Sequence, residues 1–312
     1  MLPRSKKALL GKSTAVLEVV TVFLVGNLLA SLLAKMLNLG SFMKEFGDLL
    51  ASPKPDYLRL AWLIGSNLVI EYVGLFLLIF LVGWFRRKRR FADYGLTRAS
   101  NKIGYLFSIG LVLFCFSALP LKLLLFANKY LPLGAGSDLW IIFNMKWNFQ
   151  FWVFSAVGSY LLVPVVEEIF YRGYFQKRLE EGFGGLPAVI MTSCFFVLNH
   201  AVYHKLTVLS IGTIISLFIF SVAIGYIYYR TRSLYVPIFA HALINIPTKG
   251  TVDLIILLLM VAVIIFFTKK IAIFLRQFRE DYRLANPKWV LALGAFVFSL
   301  LSFVFSLLSK VS

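Results

Sequence analysis

Two adjacent carboxylates in a long apolar stretch are the first residues of this sequence that could do chemistry. Glu167 and Glu168 are followed by Arg172 at the end of an apolar run. On a helix, Glu168 and Arg172 share a face, so an ion pair between them would make the burial of both charges tolerable. Glu167 points about 100° away from Glu168, which leaves it without a local cation. This pattern predicts that Glu167 is a general base, with a charged helix end at the membrane interface as the alternative.

The three histidines lie in or beside apolar runs further along the chain. His200 sits in an otherwise apolar run, where we predict a catalytic imidazole; a buried, hydrogen-bonded histidine is the alternative. His204 precedes Lys205, which is typical of a residue at the membrane interface. His241 and Asn245 are one helical turn apart, so both can donate hydrogen bonds to the same point, as stabilisation of an oxyanion requires. The alternative for this pair is hydrogen bonding between helices.

Together these residues supply a base, an imidazole and two hydrogen-bond donors. The set has no Ser or Cys nucleophile with an obvious base, so it favours direct attack on a peptide carbonyl by a water that Glu167 and His200 activate. We predict no cofactor, although zinc stays open because Glu and His are acceptable zinc ligands. The sequence has no His-Glu-x-x-His pair that would indicate such a site. The predicted catalytic residues are Glu167, His200, His241 and Asn245, supported by Glu168 and Arg172.

The composition indicates that the elements that position these residues are membrane helices. Of the 312 residues, 60% are hydrophobic and 15% are charged, and the charged share is well below the roughly 25% of an ordinary globular domain. This excludes a disordered chain and a single soluble globule. The net charge is +18, but the basic residues lie in short loops between apolar runs, so positive-inside topology explains them better than nucleic-acid binding. Cys115 and Cys194 lie within apolar runs, which excludes a disulfide framework.

Nine apolar runs have about the length that a helix needs to cross a bilayer. They predict an all-α, multi-pass transmembrane bundle of eight or nine spans, with the N-terminus in the cytoplasm. The seventh run is short enough to be tilted or not fully spanning. The basic segment 269–288, with its interleaved Ile, Leu and Phe residues, predicts an interfacial helix. The nine runs cover residues 15–37, 59–85, 103–126, 148–170, 186–204, 206–229, 233–248, 251–268 and 289–309.

In this topology the predicted catalytic residues do not all lie at the same depth. Glu167 and His241 fall in the cytoplasmic half of the bilayer, whereas His200 falls about 14 residues into the fifth run, closer to the outer side. Groups that contact one water must lie within a few ångströms. We therefore expect the fifth span to begin later than Leu186 or to dip, with the segment from Gly182 to Pro187 embedded as a re-entrant loop.

These motifs resemble those of the CAAX-protease and bacteriocin-processing family, which contains type II CAAX prenyl endopeptidases and the Abi proteins. The motif-bearing region covers about 150–248. The motifs that carry the resemblance are Glu167-Glu168-x-x-x-Arg172, Phe196-x-x-x-His200 and His241-x-x-x-Asn245. A further stretch, Asp93-Tyr94-Gly95-Leu96, resembles a short segment found upstream in these proteins.

The resemblance implies a helical, intramembrane, metal-independent glutamate-type endopeptidase. It assigns Glu167 and His200 to water activation and His241 and Asn245 to the oxyanion hole. The implied substrates are prenylated CaaX C-termini or membrane-associated or secreted peptides. The expected partners are a peptide or protein substrate, with or without a prenyl group, and membrane lipid, but no nucleic acid.

The chain is expected to divide into N-terminal transmembrane helices with a basic cytoplasmic loop (1–147), a catalytic core (148–248) and C-terminal transmembrane helices (249–312). We expect it in a bacterial cytoplasmic membrane. One competing hypothesis is a non-catalytic membrane scaffold or bacteriocin-immunity protein. The other is a proton-coupled transporter, in which Glu71, Glu167 and the histidines would form a proton path.

Overall fold

The computed structural model describes residues 4–36, 103–128, 156–201, 207–246 and 251–285, together with short stretches and single residues between 45 and 133. These residues form helices and no strand, which confirms the all-α prediction. Among them, Ser108–Ala127 and Val208–Thr231 are long and apolar enough to cross a membrane. The count of eight or nine spans stays a prediction, because most of run 59–85 and all of run 289–309 lie outside the described residues.

The described helices are named here in chain order, with π for the segments that have the wider helical turn. They are α1 (Arg4–Met36), α2 (Ile103–Ala127), π1 (Ala156–Leu162), α3 (Val163–Glu168), π2 (Ile169–Gln176), α4 (Lys177–Phe183), α5 (Gly185–Ala201), α6 (Val208–Thr231), α7 (Tyr235–Asn245), α8 (Thr251–Phe266) and α9 (Thr268–Leu284).

One uninterrupted helical run, from Ala156 to Phe183, alternates between π and α geometry. Wide π turns are rare and are frequent at functional sites. The run ends where Gly184 adopts a φ of 84°, a backbone conformation that strains any residue with a Cβ atom. Because α5 begins at the next residue, Gly185, the expectation that the fifth span begins later than Leu186 is wrong. That the segment from Gly182 to Pro187 is embedded as a re-entrant loop stays a prediction. The break between the two helices is a single glycine, whereas a loop of six residues is expected from the sequence.

An aromatic core holds π2 against α1 and α5. The ring of Phe175 on π2 lies 4.5 Å from the ring of Phe170 and 5.6 Å from the ring of Phe195 on α5. Phe23 of α1 completes the group, with its ring 5.7 Å from that of Phe195. All four side chains are buried. The core therefore fixes the helix that carries Glu168 and Arg172 from two sides.

Helix α7 is short and ends at a defined point. Its 11 residues rise about 17 Å, roughly half of the ~30 Å hydrocarbon core of a bilayer. At its end, Nζ of Lys122 on α2 donates hydrogen bonds to the carbonyl oxygens of Ile246 at 3.0 Å and Ile244 at 3.4 Å. A cation is favourable there because the last carbonyls of a helix lack partners within the helix.

Candidate active site

A buried ion pair forms the base of the site. Nη1 of Arg172 lies 2.8 Å from Oε1 of Glu168, and both side chains are 0% exposed, so the predicted pairing of these two residues is present. Nη2 of Arg172 donates to Oγ of Ser221 at 2.7 Å and to the carbonyl oxygen of Ser221 at 3.2 Å. These bonds anchor π2 to α6, because they connect the side chain of Arg172 to the side chain and the backbone of a residue on another helix.

His241 of α7 lies between the two carboxylates. Its Nδ1 is 2.7 Å from Oε1 of Glu168, and a carboxylate only accepts hydrogen bonds, so Nδ1 carries the proton. Its Nε2 lies 3.7 Å from Oε2 of Glu167, too far for a direct hydrogen bond. The rings of Phe196 and Phe220 flank the imidazole edge-on, at 5.8 Å and 6.0 Å. We refer to Glu167, Glu168, Arg172 and His241 as the His241 cluster.

Glu167 is buried and only half of its carboxylate is engaged within the described residues. Oε1 accepts a hydrogen bond from the hydroxyl group of Tyr72, 95 residues earlier in the chain. Oε2 has no hydrogen-bond partner among the residues that the structure describes. Sequence reasoning missed Tyr72, since one tyrosine in an apolar run is unremarkable; Glu71, which it singled out beside it, lies outside the described residues.

The remaining two predicted residues lie beside the His241 cluster. Nδ1 of His200 is 2.8 Å from the carbonyl oxygen of Phe196, which can only accept, so Nδ1 carries a proton and donates it to this bond. The His200 ring lies 4.5 Å from the Phe196 ring, which also contacts His241 and carries the guanidinium of Arg172 4.8 Å from its centre. Asn245 is half-buried at the end of α7, one turn after His241.

The stretch that resembles an upstream family segment packs against this site. The carbonyl oxygen of Gly95 accepts a hydrogen bond from the backbone N–H of Leu234, just before α7. A Cβ atom at Gly173 on π2 would lie 2.8 Å from the carbonyl oxygen of Tyr94, so only glycine permits this approach. The stretch therefore connects π2 to the start of α7. Asp93 lies outside the described residues.

In the part of the chain that the structure describes, no group of three His, Cys, Asp or Glu side chains could hold a metal ion. Two carboxylates and one imidazole do converge in the His241 cluster, but Arg172 and His241 share one oxygen of Glu168. The expectation of a cofactor-free site stays a prediction. His204 lies outside the described residues.

Residues 149–247 match the model of the Rce1-like family, described as type II CAAX prenyl endopeptidase Rce1-like. All six predicted site residues fall within this segment, and the predicted family resemblance is confirmed over it. No curated protein and no solved structure matches the chain. With the apolar helices, the match supports a membrane protein and, in general terms, a CAAX-type intramembrane protease.

Proposed function

We propose that this chain is a membrane endopeptidase that hydrolyses a peptide bond with a water activated at Glu167. The observation that carries the proposal is Oε2 of Glu167, which is buried, has no hydrogen-bond partner among the described residues and faces Nε2 of His241 across 3.7 Å. A buried carboxylate oxygen without a partner is costly, so a native structure retains one where it has a task. A water beside this oxygen would lie within reach of both groups.

The charges of the His241 cluster fit an imidazolium at His241. Glu167 and Glu168 carry two negative charges and Arg172 one positive charge, within a buried site. A protonated His241 balances them, and charges in a low-dielectric interior are tolerated best when paired. Because Nδ1 is directed to Glu168, the Nε2–H of that imidazolium is free to donate to an oxyanion.

The proposed reaction follows from these positions. Oε2 of Glu167 takes a proton from the water as its oxygen bonds to the peptide carbonyl carbon, and neutral His200 accepts the second hydrogen bond of that water through Nε2. His241 and Asn245 donate to the oxyanion that forms. When the carbon–nitrogen bond breaks, Glu167 returns its proton to the leaving amine. Glu168 and Arg172 hold His241 and do not touch the substrate.

Tyr72 is proposed as a positioning residue in the same reaction. Its hydroxyl donates to Oε1 of Glu167 and so leaves Oε2 as the oxygen that meets the water. The phenol fixes the rotation of the carboxylate about its last bond, which otherwise has a broad preference. The sequence distance between the two residues makes the N-terminal helices part of the active enzyme.

We also propose a substrate class and a membrane for this chain, both of which are more specific than the family match. The proposed substrates are prenylated CaaX C-termini, with membrane-associated or secreted peptides as the alternative. The proposed location is a bacterial cytoplasmic membrane with the N-terminus inside, because the basic residues favour that side.

The test is cleavage of defined peptides by the detergent-purified full chain, followed by mass spectrometry. The substrates are a farnesylated CaaX peptide, the same peptide without its lipid, and a mixture of unmodified peptides, each with and without a chelator. Glu167→Gln is compared with Glu18→Gln, which changes another buried carboxylate in the same way. We expect cleavage by wild type and Glu18→Gln, and none by Glu167→Gln.

Each other outcome has a distinct meaning. Equal cleavage by wild type and Glu167→Gln would overturn the mechanism. Cleavage that the chelator abolishes would contradict a metal-independent reaction. Failure of folded wild type to cleave any peptide would favour the non-catalytic scaffold.

A further inference from the structure

Helices α8 and α9 form an elbow at the end of the described chain. Val252–Phe266 and Thr268–Leu284 meet at an angle of 73°, with a single residue between them. The first arm is apolar and the second is amphipathic, with five basic residues exposed on it. If the apolar arm is inserted in the bilayer, this bend lays α9 close to the membrane plane, as the sequence predicted for this segment.

One face of α9 is docked on α6 by aromatic contacts. The ring of Tyr226 lies 5.2 Å from that of Phe274 and 5.0 Å from that of Phe278. The hydroxyl of Tyr226 donates to Oδ2 of Asp281 at 2.7 Å, and Nη1 of Arg230 lies 3.2 Å from the same oxygen. These contacts involve the last two turns of α6. They therefore hold α9 beside the C-terminal end of α6, where basic residues lie.

The opposite face of α9 is basic and turned away from the bundle. Two of its side chains, Arg276 and Arg283, are seven residues apart and so lie two turns apart on one side. Asp281 is engaged by α6, which leaves Glu280 as the one exposed acidic side chain of this helix. The exposed basic residues on this face are Lys269, Arg276, Arg279 and Arg283.

The bend of the elbow combines apolar and cationic groups. An open hollow of about 660 Å³ there is lined by Ile265, Phe266, Phe267 and the lysines that follow them. Phe266 is 82% exposed, and Nζ of Lys270 lies 5.0 Å from the centre of the Phe267 ring. An apolar surface next to two ammonium groups matches an anionic phospholipid, in which an apolar acyl chain lies next to a negatively charged phosphate. An acidic peptide would satisfy the cations but not the exposed rings.

We propose that the elbow and the basic face of α9 bind anionic phospholipids of the surrounding bilayer. Basic clusters on amphipathic helices attract such lipids through their phosphates. The apolar hollow would take the upper part of an acyl chain, and the basic face would contact neighbouring head groups. This proposal is independent of the peptidase reaction, since no residue of the His241 cluster takes part.

Lipid retention by the purified full chain tests the proposal. The protein is equilibrated with equal amounts of phosphatidylglycerol and phosphatidylcholine, and bound lipids are counted by native mass spectrometry. The neutralised variant is Lys269→Gln, Arg276→Gln, Arg279→Gln and Arg283→Gln. We expect wild type to bind more phosphatidylglycerol than phosphatidylcholine. In the variant, the ratio of the two bound lipids is expected to be about tenfold lower. Added inorganic phosphate is expected not to compete, because it lacks the acyl chain.

Two controls separate a local site from the overall charge of the chain. The charge-preserving variant Lys269→Arg, Arg276→Lys, Arg279→Lys and Arg283→Lys is expected to keep the preference. A variant with four glutamines at Arg4, Lys6, Lys7 and Lys12 is expected to keep it as well. If that variant loses as much preference as the α9 variant, or if neutralised α9 still prefers phosphatidylglycerol, the proposal is overturned. Should the four-fold α9 variant not fold, Lys269→Gln with Arg276→Gln is expected to lower the preference partway, and an unchanged preference would also overturn it.

Discussion

Among the described residues, two buried glutamate–arginine clusters contact the helical run from Ala156 to Phe183, and they differ in how many of their carboxylate oxygens accept a hydrogen bond. In the Glu18 cluster (Glu18, Tyr174 and Arg178), Tyr174 donates to Oε1 of Glu18 at 3.1 Å and Nε of Arg178 to Oε2 at 3.0 Å. In the His241 cluster, Oε2 of Glu167 and Oε2 of Glu168 have no hydrogen-bond partner among the described residues.

This difference indicates that the two clusters have different roles. The Glu18 cluster joins α1 to π2 and α4, and both carboxylate oxygens of Glu18 are occupied, so it is suited to hold helices together. The His241 cluster also joins helices, through Arg172 and Ser221, but two of its carboxylate oxygens have no hydrogen-bond partner among the described residues. Both clusters bury a charged pair, so burial does not distinguish them; the contrast lies in the hydrogen-bonding capacity that is unused among the described residues.

The largest effect is expected from the same substitution in each cluster. Glu167→Gln should lower the cleavage rate by about a thousandfold, within the range for loss of a general base. Its thermal unfolding midpoint should stay near that of wild type, because Oε2 has no described partner to lose. Glu18→Gln should show the reverse pattern, with a lower unfolding midpoint and an unchanged rate per folded molecule. A rate loss in Glu18→Gln as large as that in Glu167→Gln would erase the distinction.

The next largest effect concerns Arg178. Arg178→Met leaves the carboxylate of Glu18 buried without its cation, which should cost about 3 kcal/mol of stability. The measurement is unfolding in denaturing detergent, read by circular dichroism. The double variant Arg178→Met with Glu18→Met should recover most of the loss, since it removes both charges. If the double variant is less stable than the single one, the Glu18 cluster is not an ion-pair attachment.

An effect of intermediate size is expected at Tyr72, and Tyr174 is its matched control, because each tyrosine donates to a buried glutamate. Tyr72→Phe removes one hydrogen bond to a charged group, for which a loss of about tenfold in kcat is expected. KM should not change, because the phenol contacts Glu167 and not the substrate. In the Glu167→Gln background the same substitution should have no further effect. Tyr174→Phe should leave kcat unchanged, and an equal kcat loss in both variants would refute the positioning role.

The smallest effect is expected at Ser221. Ser221→Ala removes the hydroxyl acceptor of Arg172 but leaves the carbonyl acceptor, so a stability loss of about 1 kcal/mol and a rate loss of a few-fold are expected. Ser193→Ala is the control, because within the described part of the chain the hydroxyl of Ser193 donates to the carbonyl oxygen of Val189 in its own helix. A larger rate loss in Ser193→Ala would show that the anchoring of Arg172 does not matter.

The sequence predicted what depends on local spacing and missed what depends on distant packing. Glu168 and Arg172 could be paired from their separation of four residues, and the apolar composition indicated helices. Tyr72 could not be found, because its bond to Glu167 spans 95 residues and leaves no local pattern. The break between α4 and α5 was misplaced, because composition does not show which of several glycines leaves the helix. The π geometry of residues 169–176 also has no simple sequence signal.

Lys122 is synthesised well before the residues that bind it. Its carbonyl partners at the end of α7, Ile244 and Ile246, lie 122 and 124 residues later in the chain. A lysine at the centre of a membrane helix costs about 2.5–3.5 kcal/mol on insertion scales, and the cost is smaller for Lys122, which lies near the end of α2. At ~5–20 residues per second, synthesis of the intervening chain takes roughly 6–25 s. For that time α2 holds a charge that nothing from α7 can yet satisfy, so stable insertion of α2 depends on a segment the ribosome has still to produce.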